Sequence, residues 1–265
     1  MLGAAGISVS PDALTPHVYL PGRQGSLQAE LVATTRRYGR IPYVLQPRLQ
    51  DLLTEVSAGT PVLVMQNLGL RMLPQWHYAV VIGYDAPADS LILRSGTDKR
   101  LRMNRVRFQG AWARADNWAM VAALPDHPPS TAKSLAWLRN ASDLDEVGKP
   151  ELAMQAYKAA TRRWPRDALS WQALANAHYA QGNLSAAELA LRRALQLAPS
   201  AAAHNNLAHV LQEQGCLADA SAQIELAESL ADAATLGAVL ARTRAAIEGN
   251  TGSQSGHCTG RQRAH

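Results

Sequence analysis

The chain has 265 residues, 47% of them hydrophobic and 5% aromatic, so it holds enough apolar material for two ordinary domains and wholesale disorder is excluded. Its formal net charge is +5, and all of the excess lies in residues 1–124, which contain 13 Lys/Arg and 8 Asp/Glu. No apolar stretch is long enough to span a bilayer, so we expect no transmembrane segment.

Helical patterns and short β-type runs alternate in the first half of the chain. Amphipathic patterns predict helices over three ranges, 10–20, 25–38 and 48–56. Pro11 suits the first position of the first helix, where no backbone N–H is needed. Strands are predicted over 41–45 and 61–66, and the second is nearly all apolar, as expected of a strand buried on both faces.

Two apolar runs around the polar turn DAPADS predict a β-hairpin over 76–96, with His77 at the start of its first strand. Further strands are predicted over 102–108 and 118–124, with a short helix near Trp112 between them.

A basic strip between Lys99 and Arg107 holds much of the excess positive charge. Such a strip indicates either a nucleic-acid or acidic-lipid partner, or a solvated strand edge that Lys and Arg protect. We favour the strand edge and expect no nucleic-acid partner, because no aromatic stacking pattern accompanies the cations.

Three motifs in this half resemble one known family. HYAVVIGYD at 77–85, PVLVMQNL at 61–68 and YLPGRQGSLQ at 19–28 are similar to the papain-like C39 peptidase domain, in a subgroup where tetratricopeptide repeats follow. The resemblance implies an α+β papain-like fold for residues 1–124 and cysteine peptidase chemistry. In that chemistry a Cys thiolate attacks the scissile carbonyl, a His moves the proton and an Asp orients the His.

The resemblance gives His77 and Ser95 catalytic roles. His77 matches the family His, and Ser95 stands where the orienting Asp is expected, with Asp85 and Asp98 left open as substitutes. A packed, hydrogen-bonded histidine with no catalytic role is the alternative interpretation of His77.

The nucleophile that the family requires is not found in residues 1–124, which contain no cysteine. The family places it on a helix that would precede residue 1, so we expect this domain to lack its N-terminal Cys helix. Three explanations stay open: a start codon assigned too late, a truncated gene, or a pseudoenzyme that binds peptides without cleaving them. We expect the chain as given to be cytoplasmic, and exported if a longer N-terminus carries a signal.

The Pro-rich segment 125–133 is predicted to be a linker, and the sequence after it repeats. Glycines recur at spacings of 34 and 33, as Gly148, Gly182 and Gly215, and three further sets of residues keep the same intervals. Those sets are Trp137, Trp171 and His204; Ala153, Ala187 and Ala220; and Tyr157, Leu191 and Ile224. Each unit predicts a helix, a turn at the Gly and a second helix.

The spacing and residue types resemble the tetratricopeptide repeat, an all-α solenoid that binds peptides or proteins. We expect three repeats followed by a capping helix from residue 234, together over 134–249, and a disordered tail over 250–265. In the middle unit we expect two buried faces, formed by Trp171, Leu174, Ala175 and His178 on the first helix and by Ala187, Leu191 and Ala194 on the second.

Polar residues lie opposite the buried faces of two first helices. The predicted peptide-binding residues are Gln172, Asn176, Tyr179, Asn205, His209 and Gln212. Their amides could bond the backbone of an extended peptide, and a plain solvated face is the alternative. We expect no metal site, because His17, His77 and His127 are scattered and no HxxxH or CxxC spacing occurs. We expect no cofactor, since thiol chemistry requires none.

Two functions follow from these patterns. The first is a C39-like cysteine peptidase with a tetratricopeptide protein-binding module, inactive in this chain because the nucleophile is absent. The alternative is a non-catalytic scaffold that binds peptides or proteins.

Overall fold

The computed structural model describes residues 1–23, 25–230 and 233–249. The chain divides into two compact units, Met1–Ala156 and Tyr157–His265. The predicted domain boundary at 125–133 stays a prediction. Within the described residues, none of the helices has the length and apolar character needed to cross a membrane.

The first unit is built on a six-stranded antiparallel sheet. Its strands are β1 (Ile41–Val44), β2 (Val62–Asn67), β3 (Trp76–Asp85), β4 (Ser90–Ser95), β5 (Asp98–Asn104) and β6 (Ala119–Ala123), in the spatial order β1-β6-β2-β3-β4-β5. β2 lies between β6 and β3 and is buried along almost its whole length, which confirms the expected buried strand. The predicted hairpin is β3–β4, and the basic strip starts on the edge strand β5.

Five α-helices lie wholly in the described part of this unit: α1 (Pro11–Val18), α2 (Gln28–Arg37), α3 (Leu49–Ser57), α4 (Arg105–Ala113) and α5 (Ser134–Glu146). α1 begins as expected, because Ser10 Oγ accepts a hydrogen bond from the backbone N–H of Ala13 at 3.2 Å. α2 and α5 pack against β1, α3 packs against β2 and β3, and α4 packs against β2. The next helix, α6 (Pro150–Arg163), spans the division between the units.

The strand predicted over 102–108 is wrong in its second half. Asn104 Oδ1 accepts a hydrogen bond from the N–H of Val106 at 2.9 Å and caps α4, which starts at Arg105. The cap stops the strand because its side chain takes a donor that sheet pairing would otherwise use. α4 then buries Phe108 and Trp112.

The predicted linker 125–133 lies within the first unit and is hydrogen-bonded to α3 and β1 of that unit. The Glu55 side chain is fully buried, and its Oε1 accepts from the Thr131 backbone N–H at 2.6 Å and hydroxyl at 2.7 Å. The N–H of Lys133 donates to Tyr43 OH at 3.0 Å. The end of this segment is therefore held in one place on the sheet unit.

The described part of the second unit contains the end of α6 and five further helices, α7 (Ala168–Ala180), α8 (Leu184–Leu197), α9 (Ala201–Glu213), α10 (Leu217–Leu230) and α11 (Ala233–Gly249). α7 pairs with α8 and α9 with α10 as hairpins, α8 packs on α9, and α11 packs on α9 and α10. α11 is the predicted capping helix. The predicted tail over 250–265 lies outside the described residues.

The repeat pattern predicted the core of these hairpins well. Ala187, Leu191 and Ala194 are buried as expected, and so are Leu174 and Ala175. Trp171 and His178 are only half-buried. The three repeat glycines, Gly148, Gly182 and Gly215, have φ values of 75°, 73° and 78°, the left-handed conformation in which a Cβ is disfavoured.

Candidate functional site

A cleft of about 210 Å³ lies between α7 and α9 of the second unit, with α8 beneath it. It is called the repeat cleft below. Its lining residues are Ala175, Asn176, Tyr179, Leu191, Asn206, His209 and Val210. Ala175, Leu191 and Val210 are buried and form an apolar floor. Three of the predicted peptide-binding residues, Asn176, Tyr179 and His209, are brought together at its rim.

Two amides meet across the rim of the repeat cleft. Asn206 Nδ2 donates to Asn176 Oδ1 at 3.0 Å, which ties α9 to α7. Since each amide carries both donors and acceptors, this bond leaves Asn176 with donor capacity and Asn206 with acceptor capacity. A peptide unit needs one of each, so the pair matches the hydrogen-bonding groups of an extended backbone.

Asn206 is a cleft residue that sequence reasoning missed, and Asn205 takes a different place from the predicted one. Asn205 is 6% exposed, and Thr243 on α11 donates to its Oδ1 at 2.8 Å. The prediction assumed an open side, but α11 covers Asn205 and turns its amide into a buried contact. The neighbouring Asn206 was the signal available in the sequence. A step of one residue rotates a helix position by about 100°, so Asn205 and Asn206 lie on different sides of α9.

Thr243 also fixes His209, whose Nε2 lies 2.9 Å from the Thr243 hydroxyl. At the other end of the rim, the Tyr179 hydroxyl donates to the Glu213 carboxylate. That bond raises the pKa of the Tyr179 hydroxyl above its usual range. Gln172 and Gln212, also predicted to bind peptide, lie on α7 and α9 outside the lining of the cleft.

A second cleft, of about 1250 Å³, surrounds His77 in the first unit and is called the His77 cleft. Its other lining residues are Gly25, Ser26, Leu27, Gln28, Ala29, Met65, Gln75, Trp76, Tyr78 and Asp116. His77 Nε2 and Ser95 Oγ share a hydrogen bond of 2.7 Å, so the structure brings together the two predicted catalytic residues. The bond fixes the orientation of the imidazole at the start of β3.

Of the two aspartates left open as substitutes for Ser95, Asp85 is too far away. It lies at the opposite end of β3, where it pairs with Ser90 and forms an ion pair with Arg102. Asp98 pairs with Ser95 in the sheet register. Asp116, which sequence reasoning did not select, lines the His77 cleft from the segment between α4 and β6. Within the described ranges, no cluster of three or more His, Cys, Asp or Glu residues is placed to hold a metal ion.

Residues 168–201 match the family model of the tetratricopeptide repeat, from the start of α7 to the start of α9. The middle repeat of the helical part, residues 168–201, is a tetratricopeptide repeat. The model's match lies outside residues 1–124, so the C39-like interpretation of the first unit stays a hypothesis.

No curated protein matches the chain. Solved structures similar to it include a type III secretion chaperone of Yersinia enterocolitica, SycD, in complex with a peptide of the translocator YopD, at 18% identity and a TM-score of 0.42, covering 45% of this chain and 95% of that one. The TPR2B domain of yeast Sti1, in a complex with pHsp70, is 16% identical with a TM-score of 0.41, covering 44% of this chain and 96% of that one. The second tetratricopeptide domain of Spaghetti (RPAP3), bound to the HSP90 peptide SRMEEVD, is 20% identical with a TM-score of 0.35, covering 37% and 92%.

Proposed function

We propose that this chain is a peptide-binding scaffold, and that its tetratricopeptide unit holds an extended polypeptide segment in the repeat cleft. The observation that carries the proposal is the combination of an apolar floor and an amide rim in one cleft between α7 and α9. The floor offers room for one apolar side chain, and the rim offers a donor and an acceptor to the backbone beside it.

The architecture of the rim favours recognition of the main chain. Asn176 and Asn206 are already oriented by their mutual bond, so a ligand would lose less free energy in ordering them. A peptide in β conformation presents its N–H and C=O groups with a repeat of two residues, and its intervening side chain points the other way. One side chain would enter the floor while the adjacent peptide unit contacts the amides.

The absence of charged side chains from the lining of the repeat cleft limits the kind of peptide segment that can bind there. Its lining contains no Lys, Arg, Asp or Glu, and the Glu213 carboxylate accepts the hydroxyl of Tyr179, one of the lining residues. Without a cation in the cleft, a terminal carboxylate would lose its hydration without gaining a partner. The ligand is therefore an internal, uncharged segment with one large apolar residue.

A random peptide library displayed on phage, selected on the purified chain, tests this function. We expect enriched peptides that share a large apolar residue without flanking acids. Asn176→Trp places a bulky ring from an exposed position over the cleft and should weaken a selected peptide at least about tenfold. Gln196→Ala, on the outer face of α8, is the matched control and should leave the Kd unchanged. Failure to enrich any peptide, or equal binding by Asn176→Trp, contradicts the proposal.

The His77 cleft supports a second candidate, the histidine side of a C39-like thiol peptidase centre. The specific support is the 2.7 Å bond between His77 Nε2 and Ser95 Oγ, together with the position of His77 in the lining of a cleft of about 1250 Å³. A serine hydroxyl can hold the imidazole in place but lacks the charge that stabilises imidazolium. The first 124 residues carry no thiol, so the candidate requires one from a longer reading frame.

Sequencing the DNA upstream of Met1 tests this second candidate. It predicts an in-frame cysteine, and a chain extended to include that cysteine should cleave peptides. Changing the cysteine or His77 to Ala should abolish cleavage, whereas Ser95→Ala should lower the rate by about tenfold or more. Absence of the codon, or cleavage that survives the loss of the thiol, removes the candidate.

A further inference from the structure

The connection between β2 and β3, residues 68–75, carries the most exposed apolar side chains of the first unit. Leu70, Met72 and Leu73 are 71%, 92% and 74% exposed, and Trp76, just after the loop, is 57% exposed. Folded proteins seldom leave several large apolar side chains together in water without a partner. This segment is called the apolar loop.

The apolar loop is held rigidly from its base. Buried Asn67 accepts the backbone N–H groups of Gly69 at 3.0 Å and Gln75 at 2.9 Å through its Oδ1, and its carbonyl accepts two bonds from the Arg114 guanidinium. The backbone folds so tightly that a Cβ on Gly69 would collide with the Leu73 carbonyl oxygen. The exposed side chains are therefore presented by a built structure, with little further ordering to lose on binding.

Cations lie at the same end of the sheet. β2, β3, β4 and β5 form a continuous antiparallel meander, so the β2–β3 and β4–β5 connections share one end. Exposed Arg71 lies in the apolar loop, and exposed Lys99 and Arg100 follow the β4–β5 turn. Asp98 offsets one of these three charges, and exposed Asp116 lines the same cleft as Gln75 and Trp76. Two cations farther along the chain already have partners: Arg102 forms an ion pair with Asp85, and Arg105 forms one with Asp89.

We propose that this end of the sheet docks on an anionic lipid surface, with Leu70, Met72 and Leu73 entering the boundary between headgroups and acyl chains. Trp prefers the interfacial layer, and Lys and Arg next to an apolar tip gain from the negative surface potential. The basic strip by itself is explained equally well by a solvated strand edge. The apolar loop at the same end of the sheet favours a lipid surface, because a solvated edge does not account for exposed Leu70, Met72 and Leu73.

Co-sedimentation of the full chain with vesicles tests this surface. We expect binding to phosphatidylcholine vesicles containing about 30% phosphatidylserine, weakened by salt, and little binding to phosphatidylcholine alone. The triple variant Leu70→Ser, Met72→Ser, Leu73→Ser should lose at least about tenfold in partitioning. A variant with Arg71, Lys99 and Arg100 changed to Gln should lose its preference for phosphatidylserine, while its tip remains intact.

The matched control changes three exposed leucines of the helical unit, Leu169, Leu189 and Leu226, to Ser, and its binding should equal that of the unchanged chain. Circular dichroism melting checks that each variant is folded. Equal binding by the triple loop variant, or no binding by the unchanged chain, overturns the proposal. It is also overturned if the loop variant abolishes self-association of the chain in light scattering while lipid binding is absent.

Discussion

The two units of this protein are stabilised over different distances along the chain. In the helical unit, each hairpin packs on the next, so its core is a series of neighbouring contacts. In the sheet unit, β1 pairs with β6 across about half the unit, and Glu55 binds Thr131, 76 residues away. A core substitution should therefore destabilise the whole sheet unit, whereas in the helical unit it should destabilise mainly the helices packed against the substituted residue.

The largest effect is expected for Trp112→Ala in the sheet unit. Trp112 is 2% exposed and its indole N–H donates to the Trp118 carbonyl at 2.9 Å, so its loss leaves a cavity and removes one of the two hydrogen bonds that this carbonyl accepts. We expect a loss of about 3–5 kcal/mol in the free energy of unfolding, with faster hydrogen exchange in all six strands. Trp112→Phe is the control for volume. Exchange confined to α4 would contradict the cooperative sheet unit.

Leu207→Ala is the corresponding test of the helical unit, at a residue that is 1% exposed in the core between α7 and α11. Denaturant unfolding should show a loss of about 2–4 kcal/mol. Because the contacts of this unit are between neighbours, exchange should rise in α9 and the helices packed against it. A rise of equal size in the sheet strands would break the comparison.

Thr243→Val sharpens the comparison at the end of the solenoid. The Thr243 hydroxyl bonds Asn205 Oδ1 and His209, and valine would leave the buried Asn205 acceptor without its donor. We expect the free energy of unfolding to fall by about 1–3 kcal/mol, and amide hydrogen exchange to rise first in α11. Thr243→Ser retains the hydroxyl and should recover most of the stability. An unchanged α11 would show that this contact does not fasten the cap.

Gly182→Ala should lower the free energy of unfolding by only about 1 kcal/mol, since alanine must adopt φ near 73° in the turn between α7 and α8. Thermal unfolding measures the change. Gly182→Asn is the control, because asparagine tolerates the left-handed region better. Equal loss for both variants would point to a cause other than backbone conformation.

The smallest effect is a pH dependence at His178. Burial lowers the pKa of its imidazole, the Lys158 charge lowers it further, and its Nδ1 is buried without a hydrogen-bond partner in the described part of the chain. A lowered pKa means that the folded state binds the proton more weakly than the unfolded chain, so stability should fall as pH drops below about 6.5. His178→Gln should reduce the loss between about pH 7 and pH 5. An identical pH profile would exclude this group as its source.

The sequence predicted the helical unit more completely than the sheet unit, for physical reasons. A repeat of 33 or 34 residues encodes both the helices and their neighbours, so Leu191 and Gly182 could be placed from spacing. In the sheet unit, the hairpin and β2 followed from apolar runs, but the pairing of β1 with β6 depends on long-range closure that no local pattern contains.

The candidate sites could be predicted in part. Asn176, Tyr179 and His209 followed from helical periodicity, whereas the burial of Asn205 depends on α11, a helix that begins 28 residues later. The pairing of His77 with Ser95 followed from a family resemblance and could not have been deduced from spacing alone. The apolar loop was not singled out, because its exposure depends on Asn67 and Arg114 holding its base.

The central claim is that ligands bind at the amide rim of the repeat cleft. Nuclear magnetic resonance of the full chain, titrated with a library-selected peptide, follows the side-chain amides of Asn176 and Asn206 directly. The account predicts the largest shift changes at these two amides and at Tyr179, with the sheet unit unchanged. Changes concentrated around the His77 cleft, with the two amides unmoved, would contradict it.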